Sequence, residues 1–221
     1  MLKRIGLCAG AVLASVALFS VMAASAVAAE QRGFFVAGEK SEEAAKQPRF
    51  GGEVYPTSLA STENSTFKFG TQFGTMECPG EFSGKLSSAA AEITLTSFYY
   101  FSACHFAGSF EGVTITANGC DNTVNVLNEG PPYVGQFGYK CPAEKSYEFH
   151  TGACTIIIPA QAGHSEVTYK NTGTGKTRAV QVAFNVSGLK YSLKGPFPFG
   201  PCTGTHENGT FTGSMTLKGS A

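Results

Sequence analysis

The sequence predicts an all-β protein: a disulfide-stapled antiparallel β-sandwich, with an open Greek-key barrel as the alternative. About twelve or more short stretches alternate apolar and polar residues, and turn residues separate them. Charged residues make up only 14% of the chain, whereas Thr, Phe and Tyr, which favour strands, are abundant. No helical pattern is long enough to cover a sheet, which argues against a parallel α/β fold.

The first 29 residues are predicted to be a secretory signal peptide. Lys3 and Arg4 give a basic start, residues 5–21 are an almost unbroken apolar run, and residues 26–28 form an Ala-x-Ala cleavage pattern. A transmembrane anchor is the alternative, but no stop-transfer pattern follows the run. We therefore expect a secreted protein, extracellular or associated with the cell envelope, without a transmembrane segment after cleavage.

The remaining chain, about 192 residues, suits one β domain. Residues 30–49 are predicted to be a tail or a short helix, and residues 50–221 a single sandwich domain, with two subdomains as an open alternative. The whole chain has 16 basic and 16 acidic residues, so loss of Lys3 and Arg4 leaves a net charge of −2. No basic patch is present, and we expect no nucleic-acid partner.

Six cysteines remain after cleavage, an even number that predicts disulfides in an exported chain. They are Cys78, Cys104, Cys120, Cys141, Cys154 and Cys202. Six cysteines allow 15 pairings; we favour Cys104–Cys120 and Cys141–Cys154 as neighbours, with Cys78–Cys202 joining early and late strands. Each bridge would contribute about 2–4 kcal/mol.

Residues 113–126 predict a hairpin. Val113 and Ile115 alternate with threonines, and Asn118-Gly119 is the dipeptide that most readily forms a two-residue hairpin turn. Such a turn would place Val113 opposite Val124 and point Cys120 into the core.

The other strands follow the same alternation. The sequence predicts strands at Phe50–Tyr55, Thr66–Gly70, Thr75–Cys78, Glu92–Cys104, Gly135–Cys141, Lys145–His150, Cys154–Ile158, Ser165–Lys170, Thr177–Val186, Leu189–Leu193 and Phe211–Lys218. A short strand is also possible at Gly33–Ala37. The proline-rich segment Gly195–Pro201 cannot pair as a strand and is expected to be a loop.

Three segments imitate catalytic or ligand-binding motifs. Residues 173–177 (GTGKT) resemble the end of a phosphate-binding loop, but the first glycine of that motif is missing and a strand pattern follows. Residues 163–166 (GHSE) lack the second glycine of the lipase nucleophile elbow. The Cys-His combinations near Cys104 and Cys202 are better explained as disulfides than as zinc ligands. We therefore predict no catalytic residues, no metal and no cofactor.

Exposed aromatic residues are the remaining candidates for a contact surface. Phe197 and Phe199 lie between prolines in the predicted loop, and Tyr133 lies near another Pro-Pro pair. These three residues are predicted to be a possible surface contact, although aromatic side chains more often pack in the core.

The order of these features resembles a group of exported, six-cysteine, β-rich actinobacterial proteins of unassigned function. The resemblance rests on Tyr55-Pro56, Gly74-Thr75 before Cys78, Phe82-Ser83-Gly84, Asn118-Gly119-Cys120, Cys141-Pro142-Ala143, Cys154 before Ile156-Ile157-Ile158-Pro159-Ala160-Gln161, and Phe211-Thr212-Gly213. It covers residues 50–218. It implies export and a cysteine-pinned β domain, and it brings no activity and no site residues.

The sequence thus favours a non-enzymatic protein that binds or adheres through its surface to an unknown envelope or extracellular ligand. A secreted hydrolase with a site assembled from strand ends is the alternative, and a loop-presenting inhibitor using residues 194–201 is a further one. A histidine beside a serine, or two carboxylates in a cleft, would favour the hydrolase. The oligomeric state cannot be derived from the sequence.

Overall fold

A computed structural model describes residues 33, 35–37, 46–51, 57–61, 65–99, 104–107, 112–152, 154–196 and 200–220. These residues form fifteen strands and one short 3₁₀ turn, Gly175–Thr177. The strands are β1 (Val36–Ala37), β2 (Arg49–Phe50), β3 (Thr57–Ser61), β4 (Ser65–Thr71), β5 (Gly74–Leu86), β6 (Glu92–Tyr99), β7 (His105–Phe106), β8 (Thr114–Thr116), β9 (Asp121–Asn125), β10 (Tyr133–Lys140), β11 (Ser146–His150), β12 (Thr155–Pro159), β13 (Gln161–Thr172), β14 (Ala179–Lys194) and β15 (Thr203–Ser220).

Eight of these strands close into a hydrogen-bonded ring. The order around the ring is β15-β4-β5-β6-β9-β10-β13-β14, and β14 pairs with β15 to close it. Strand β3 occupies the same place as β4 in the order of the ring, because it also pairs with both β15 and β5. Every pairing in the ring is antiparallel. The predicted all-β, antiparallel fold is confirmed.

Aromatic side chains fill the inside of the ring. Phe67, Phe137, Phe184 and Phe211 come from β4, β10, β14 and β15, and each is 3% exposed or less. The rings of Phe137 and Phe211 stack with centroids 5.0 Å apart, although their strands are not neighbours. An eight-stranded ring is narrow enough for side chains to meet across it. The interior of this ring is therefore a packed hydrophobic core.

Three further strands form a sheet outside the ring, called the outer sheet. Strand β14 pairs with β13 through Ala179–Phe184, and its later residues Ser192–Lys194 pair with β12. Strand β12 then pairs with β11, and β11 with β8. The long strands β14 and β15 therefore belong to the ring at one end and carry the outer sheet at the other.

A glutamine side chain binds the backbone of β14 where that strand changes its partner from β13 to β12. The Gln161 Nε2 donates to the Lys190 carbonyl, and the Lys190 N–H donates to Gln161 Oε1, both at 2.9 Å. The His164 ring lies 2.9 Å from the same oxygen. The amide side chain thus satisfies a backbone N–H and a carbonyl that a strand partner would otherwise have to satisfy.

The predicted turn at Asn118-Gly119 forms, but the predicted hairpin does not. Asn118 and Gly119 have φ of 52° and 78°, and the Cys120 N–H donates to the Ala117 carbonyl at 2.8 Å. Beyond the turn the arms separate, because β8 pairs with β11 and β9 pairs with β6 and β10. Residues 122–124 are all buried. Because successive side chains of a strand point to opposite faces, β9 must be covered on both of its faces.

Three disulfides are present, and their connectivity corrects the predicted pairing. The bridges are Cys78–Cys104, Cys120–Cys141 and Cys154–Cys202, in place of Cys104–Cys120, Cys141–Cys154 and Cys78–Cys202. The strand register explains the first two. Glu77 pairs with His105 and Asp121 with Lys140, so each of these cysteine pairs is the next step of an antiparallel ladder.

Part of the segment predicted as a tail packs against the ring. Phe35 and Phe50 are fully buried. Strand β1, which follows Phe35, pairs in parallel with β2, which contains Phe50. The Phe35 N–H donates to the Ala90 carbonyl at 2.8 Å, and the Gly130 N–H donates to the Lys46 carbonyl at 2.8 Å. A short helix is the other prediction for residues 30–49, and residues 38–45 of that segment lie outside the described part of the chain.

Candidate functional site

An open cleft of about 420 Å³ lies on the outer sheet. Its lining comes from β11, β12 and the end of β14, and consists of Glu148, His150, Thr151, Gly152, Cys154, Thr155, Ile157, Lys194, Gly195 and Pro196. The cleft faces away from the core, since Tyr147 and Phe149, which alternate with its residues on β11, are buried. We call it the outer-sheet cleft.

Strand register places the polar side chains of this cleft in one row. Glu148 and His150 are two residues apart on β11, and therefore share a face. Thr155 pairs with His150, and Lys194 pairs with Thr155 on the next strand. Residues from three strands therefore meet, although 46 positions of sequence separate Glu148 from Lys194.

Two contacts link three of these side chains into a chain of polar groups. The His150 Nδ1 lies 3.2 Å from the Thr155 hydroxyl. The other ring nitrogen, Nε2, lies 3.3 Å from the Glu148 Oε2. The His150 and Glu148 side chains are 41% and 32% exposed, so both remain within reach of solvent and of a ligand.

A disulfide and a tight turn fix the rim of the cleft. Cys154 is bridged to Cys202. Its carbonyl accepts from the Thr151 N–H at 2.8 Å and from the Thr151 hydroxyl at 2.9 Å. A Cβ on Gly195 would come within 2.7 Å of the Cys202 Cβ, which requires glycine where the chain leaves β14. The cleft is thus preorganised by covalent and hydrogen-bonded supports.

The cleft offers a carboxylate, an imidazole, a hydroxyl and an ammonium group within one row. The row therefore contains both hydrogen-bond donors and hydrogen-bond acceptors, which suits a ligand rich in hydroxyl or amide groups. Within the described part of the chain, no group of three or more His, Cys, Asp or Glu side chains could hold a metal ion.

The other three described histidines have separate surroundings. His105 lies 3.9 Å from the Glu77 carboxylate on β5. His164 contacts Gln161 at the branch of β14, and burial lowers its pKa. His206 stacks on Tyr191 with centroids 5.1 Å apart. His150 combines a hydroxyl and a carboxylate contact.

Of the predicted contact residues, Tyr133 does not line this cleft. Tyr133 is 4% exposed, and the Asn171 Nδ2 donates to its hydroxyl at 3.4 Å. Phe197 and Phe199 lie outside the described residues. A surface contact by these three residues stays a prediction. Sequence reasoning missed the row of Glu148, His150, Thr155 and Lys194, whose only sequence signal is the shared parity of Glu148 and His150.

The segment that resembles a phosphate-binding loop is a hairpin connection, followed by a strand as its sequence pattern predicted. Thr172 pairs with Ala179, so β13 and β14 flank the connection directly. Between them, the Thr177 hydroxyl donates to the Thr174 carbonyl at 2.7 Å and closes the 3₁₀ turn. The strand that follows excludes the helix on which phosphate loops depend.

The fold and the cleft define a disulfide-stapled, all-β protein with an exposed polar site on a sheet outside a closed ring. Comparison with family models, with curated proteins and with solved structures finds no match. Within the described residues, no helix has the length and apolar content needed to cross a bilayer.

Proposed function

We propose that this is a secreted, non-enzymatic binding module that uses the outer-sheet cleft to hold a ligand of the cell envelope or the extracellular medium. The ring is taken as a flattened β-sandwich that supports the outer sheet. The observation that carries the proposal is the preorganised row of Glu148, His150, Thr155 and Lys194. Three disulfides support export, because such bridges persist in oxidising compartments.

The shape and chemistry of the cleft favour a polar ligand with several hydroxyl groups, such as a saccharide. The cleft is open to solvent, and its donors and acceptors are spaced along a sheet face, as a chain of sugar hydroxyls requires. Ile157 adds one apolar contact beside the row. Hydroxyl-bearing ligands can pair with all of these groups without leaving a buried charge unpaired.

Co-sedimentation with insoluble envelope polysaccharide, together with a glycan array, tests this function. A Glu148→Gln/Lys194→Gln variant should bind at least about ten-fold more weakly, because it removes two charge-assisted hydrogen bonds. Lys145→Gln is the matched control, since Lys145 is exposed in the turn between β10 and β11. The proposal fails if the wild-type protein binds none of these probes, or if the double variant binds as well as Lys145→Gln.

A hydrolase is the second candidate, because His150 lies between a hydroxyl and a carboxylate. In an ester hydrolase the Thr155 hydroxyl would attack the ester carbonyl and pass its proton to His150. The alcohol would leave with that proton, and water would then release the acid from the acyl-threonine. Glu148 would stabilise the protonated imidazole.

Hydrolysis of p-nitrophenyl acetate separates this candidate from simple binding. A threonine nucleophile predicts that Thr155→Val loses activity and that Thr155→Ser keeps it. His105→Gln should not change the rate, and it controls for direct reaction of an exposed histidine with the ester. Equal rates in the wild-type protein and Thr155→Val would remove the hydrolase and leave the binding module unaffected.

A further inference from the structure

Lys194 places a positive charge on the β14 side of the outer-sheet cleft. It is the last residue of β14, it is exposed, and it lines the cleft. Within the described part of the chain, no carboxylate lies within ion-pair distance of its ammonium group. The ammonium group is therefore available to a ligand that enters the cleft.

The carboxylate of the same cleft lies on the opposite side and already has a partner. The Glu148 Oε2 lies 3.3 Å from the His150 Nε2 on β11. His150 pairs with Thr155, and Thr155 pairs with Lys194. Since neighbouring strands are about 4.8 Å apart, about 10 Å separates the backbones of His150 and Lys194. The cleft thus has an anionic side on β11 and a cationic side on β14.

This distribution of charge favours a ligand that is itself charged at one point. Hydroxyl groups of a neutral saccharide can accept a hydrogen bond from Lys194, but they add no charge attraction. A negatively charged group at this position forms a charge-assisted hydrogen bond, which is roughly twice as strong as a neutral one. The neighbouring Thr155 and His150 remain to contact hydroxyl groups on the rest of the sugar.

We propose that the outer-sheet cleft selects acidic saccharides, and that Lys194 binds their anionic group, a carboxylate or a sulfate ester. This inference rests on the proposed binding function and names the class of ligand. The anionic group lies on the β14 side, because the Glu148 carboxylate would repel it on the β11 side. Lys194 is thus the residue that distinguishes an acidic saccharide from its neutral counterpart.

An array of matched glycans tests this selectivity. It carries oligosaccharides of cellulose, mannan and galactan, each in three forms: neutral, oxidised to the uronate at the primary alcohol, or sulfated at that alcohol. Binding is measured at about 0.15 M salt, where distant surface charges are screened. Wild-type protein should bind an acidic form of at least one backbone at least about ten-fold more tightly than its neutral form. The uronate and sulfate forms show which anionic group is preferred.

Substitutions at Lys194 assign the preference to this residue. In Lys194→Gln the ratio of acidic to neutral affinity should fall to about one, because the charge is lost, whereas Lys194→Arg should keep the preference. Lys190→Gln is the matched control. It removes the same charge from the same strand, but Lys190 does not line the cleft and its ammonium pairs with the Glu207 carboxylate at 2.9 Å. It should keep the wild-type ratio.

The outcomes separate this inference from the binding function on which it rests. Equal affinity of the wild-type protein for neutral and acidic forms would overturn the acidic selectivity and leave the binding function standing. An unchanged ratio in Lys194→Gln, or an equal loss in Lys190→Gln, would also overturn it, because the net charge or another group would then set the preference. Absence of binding to every form would count against the binding function itself, and the selectivity would fall with it.

Discussion

Tyr147 joins the outer sheet to the ring through its hydroxyl. That hydroxyl donates to the Cys120 carbonyl at 2.8 Å, lies 3.0 Å from the Ser97 Oγ, and is 3.4 Å from the Asn122 Nδ2. The residue is 1% exposed, and burial raises its pKa to about 12. Burial also raises the pKa of Tyr169. The folded state therefore favours the protonated form of both phenols.

Stability should consequently fall as the pH rises above about 10, where an unfolded tyrosine ionises. A raised folded-state pKa contributes stability that is complete below pH 10 and disappears as pH rises toward 12. Tyr147 alone should account for up to about 1.4 kcal/mol per pH unit in that window. Urea unfolding of the wild-type protein and Tyr147→Phe from pH 7 to 11.5 measures this.

The Tyr147→Phe variant should be less stable at neutral pH by about 1–3 kcal/mol, because the Cys120 carbonyl loses its donor. That difference should stay constant up to about pH 9 and then shrink, since the variant lacks one ionising group. Parallel curves up to pH 11.5 would contradict the assignment.

Gly135 lies at a position where the fold cannot accommodate a side chain. A Cβ there would come within 2.6 Å of the Tyr169 hydroxyl, which donates to the Asn125 carbonyl at 2.6 Å. Gly135→Ala should destabilise the protein by about 1–3 kcal/mol through overpacking. Gly112→Ala is the matched control, because a Cβ at Gly112 meets nothing within 4 Å, and it should change stability by about 0.5 kcal/mol or less. Equal unfolding midpoints in urea would refute the packing argument.

At the scale of the elements, the two ladder disulfides make the cysteine pairing testable. Cys78–Cys104 and Cys120–Cys141 continue antiparallel ladders, and Cys154–Cys202 holds the rim of the outer-sheet cleft. Non-reducing peptide mapping should recover these three pairs, and Cys120→Ala/Cys141→Ala should lose about 2–4 kcal/mol. A peptide joining Cys104 to Cys120 would contradict the strand order from β5 to β10.

Local patterns predicted the strands well, because alternation and turn chemistry act over a few residues. The hairpin of β4 and β5 has Thr71 opposite Gly74, between the strands predicted at Thr66–Gly70 and Thr75–Cys78. Alternation also predicted most of β14 as strand. It divided that strand at Gly188, however, where φ is 72° and the ladder shifts register while the strand continues.

Partner choice could not be predicted from local patterns. The Asn118-Gly119 turn forms as expected, yet burial of residues 122–124 draws β9 into the ring and away from β8. The cysteine pairs follow those distant ladders, so guessing neighbours gave the wrong connectivity. The same limit concealed the outer-sheet cleft: Thr155 and Lys194 meet only because β12 pairs with the second half of β14.

At the scale of the whole molecule, two separate regions extend a closed ring. Strands β14 and β15 run beyond the ring and carry the outer sheet with its polar cleft. At the other end, the N-terminal segment covers the ring. The outer-sheet cleft thus lies on a segment added to the ring, and the ring supplies the rigid core that supports it.

This arrangement predicts that the N-terminal segment is part of the folded unit. Phe35 is fully buried, stacks on Phe50 with centroids 6.0 Å apart, and meets the Tyr169 ring edge-on at 5.2 Å. Phe35→Ala should therefore destabilise the protein by about 3–5 kcal/mol in urea unfolding. Phe73→Ala is the matched control, because Phe73 is 41% exposed in the β4–β5 turn, and it should cost about 0.5 kcal/mol or less. A mobile tail would instead give equal small effects for both variants, whereas a single cooperative transition shifted only by Phe35→Ala establishes that the segment folds with the ring.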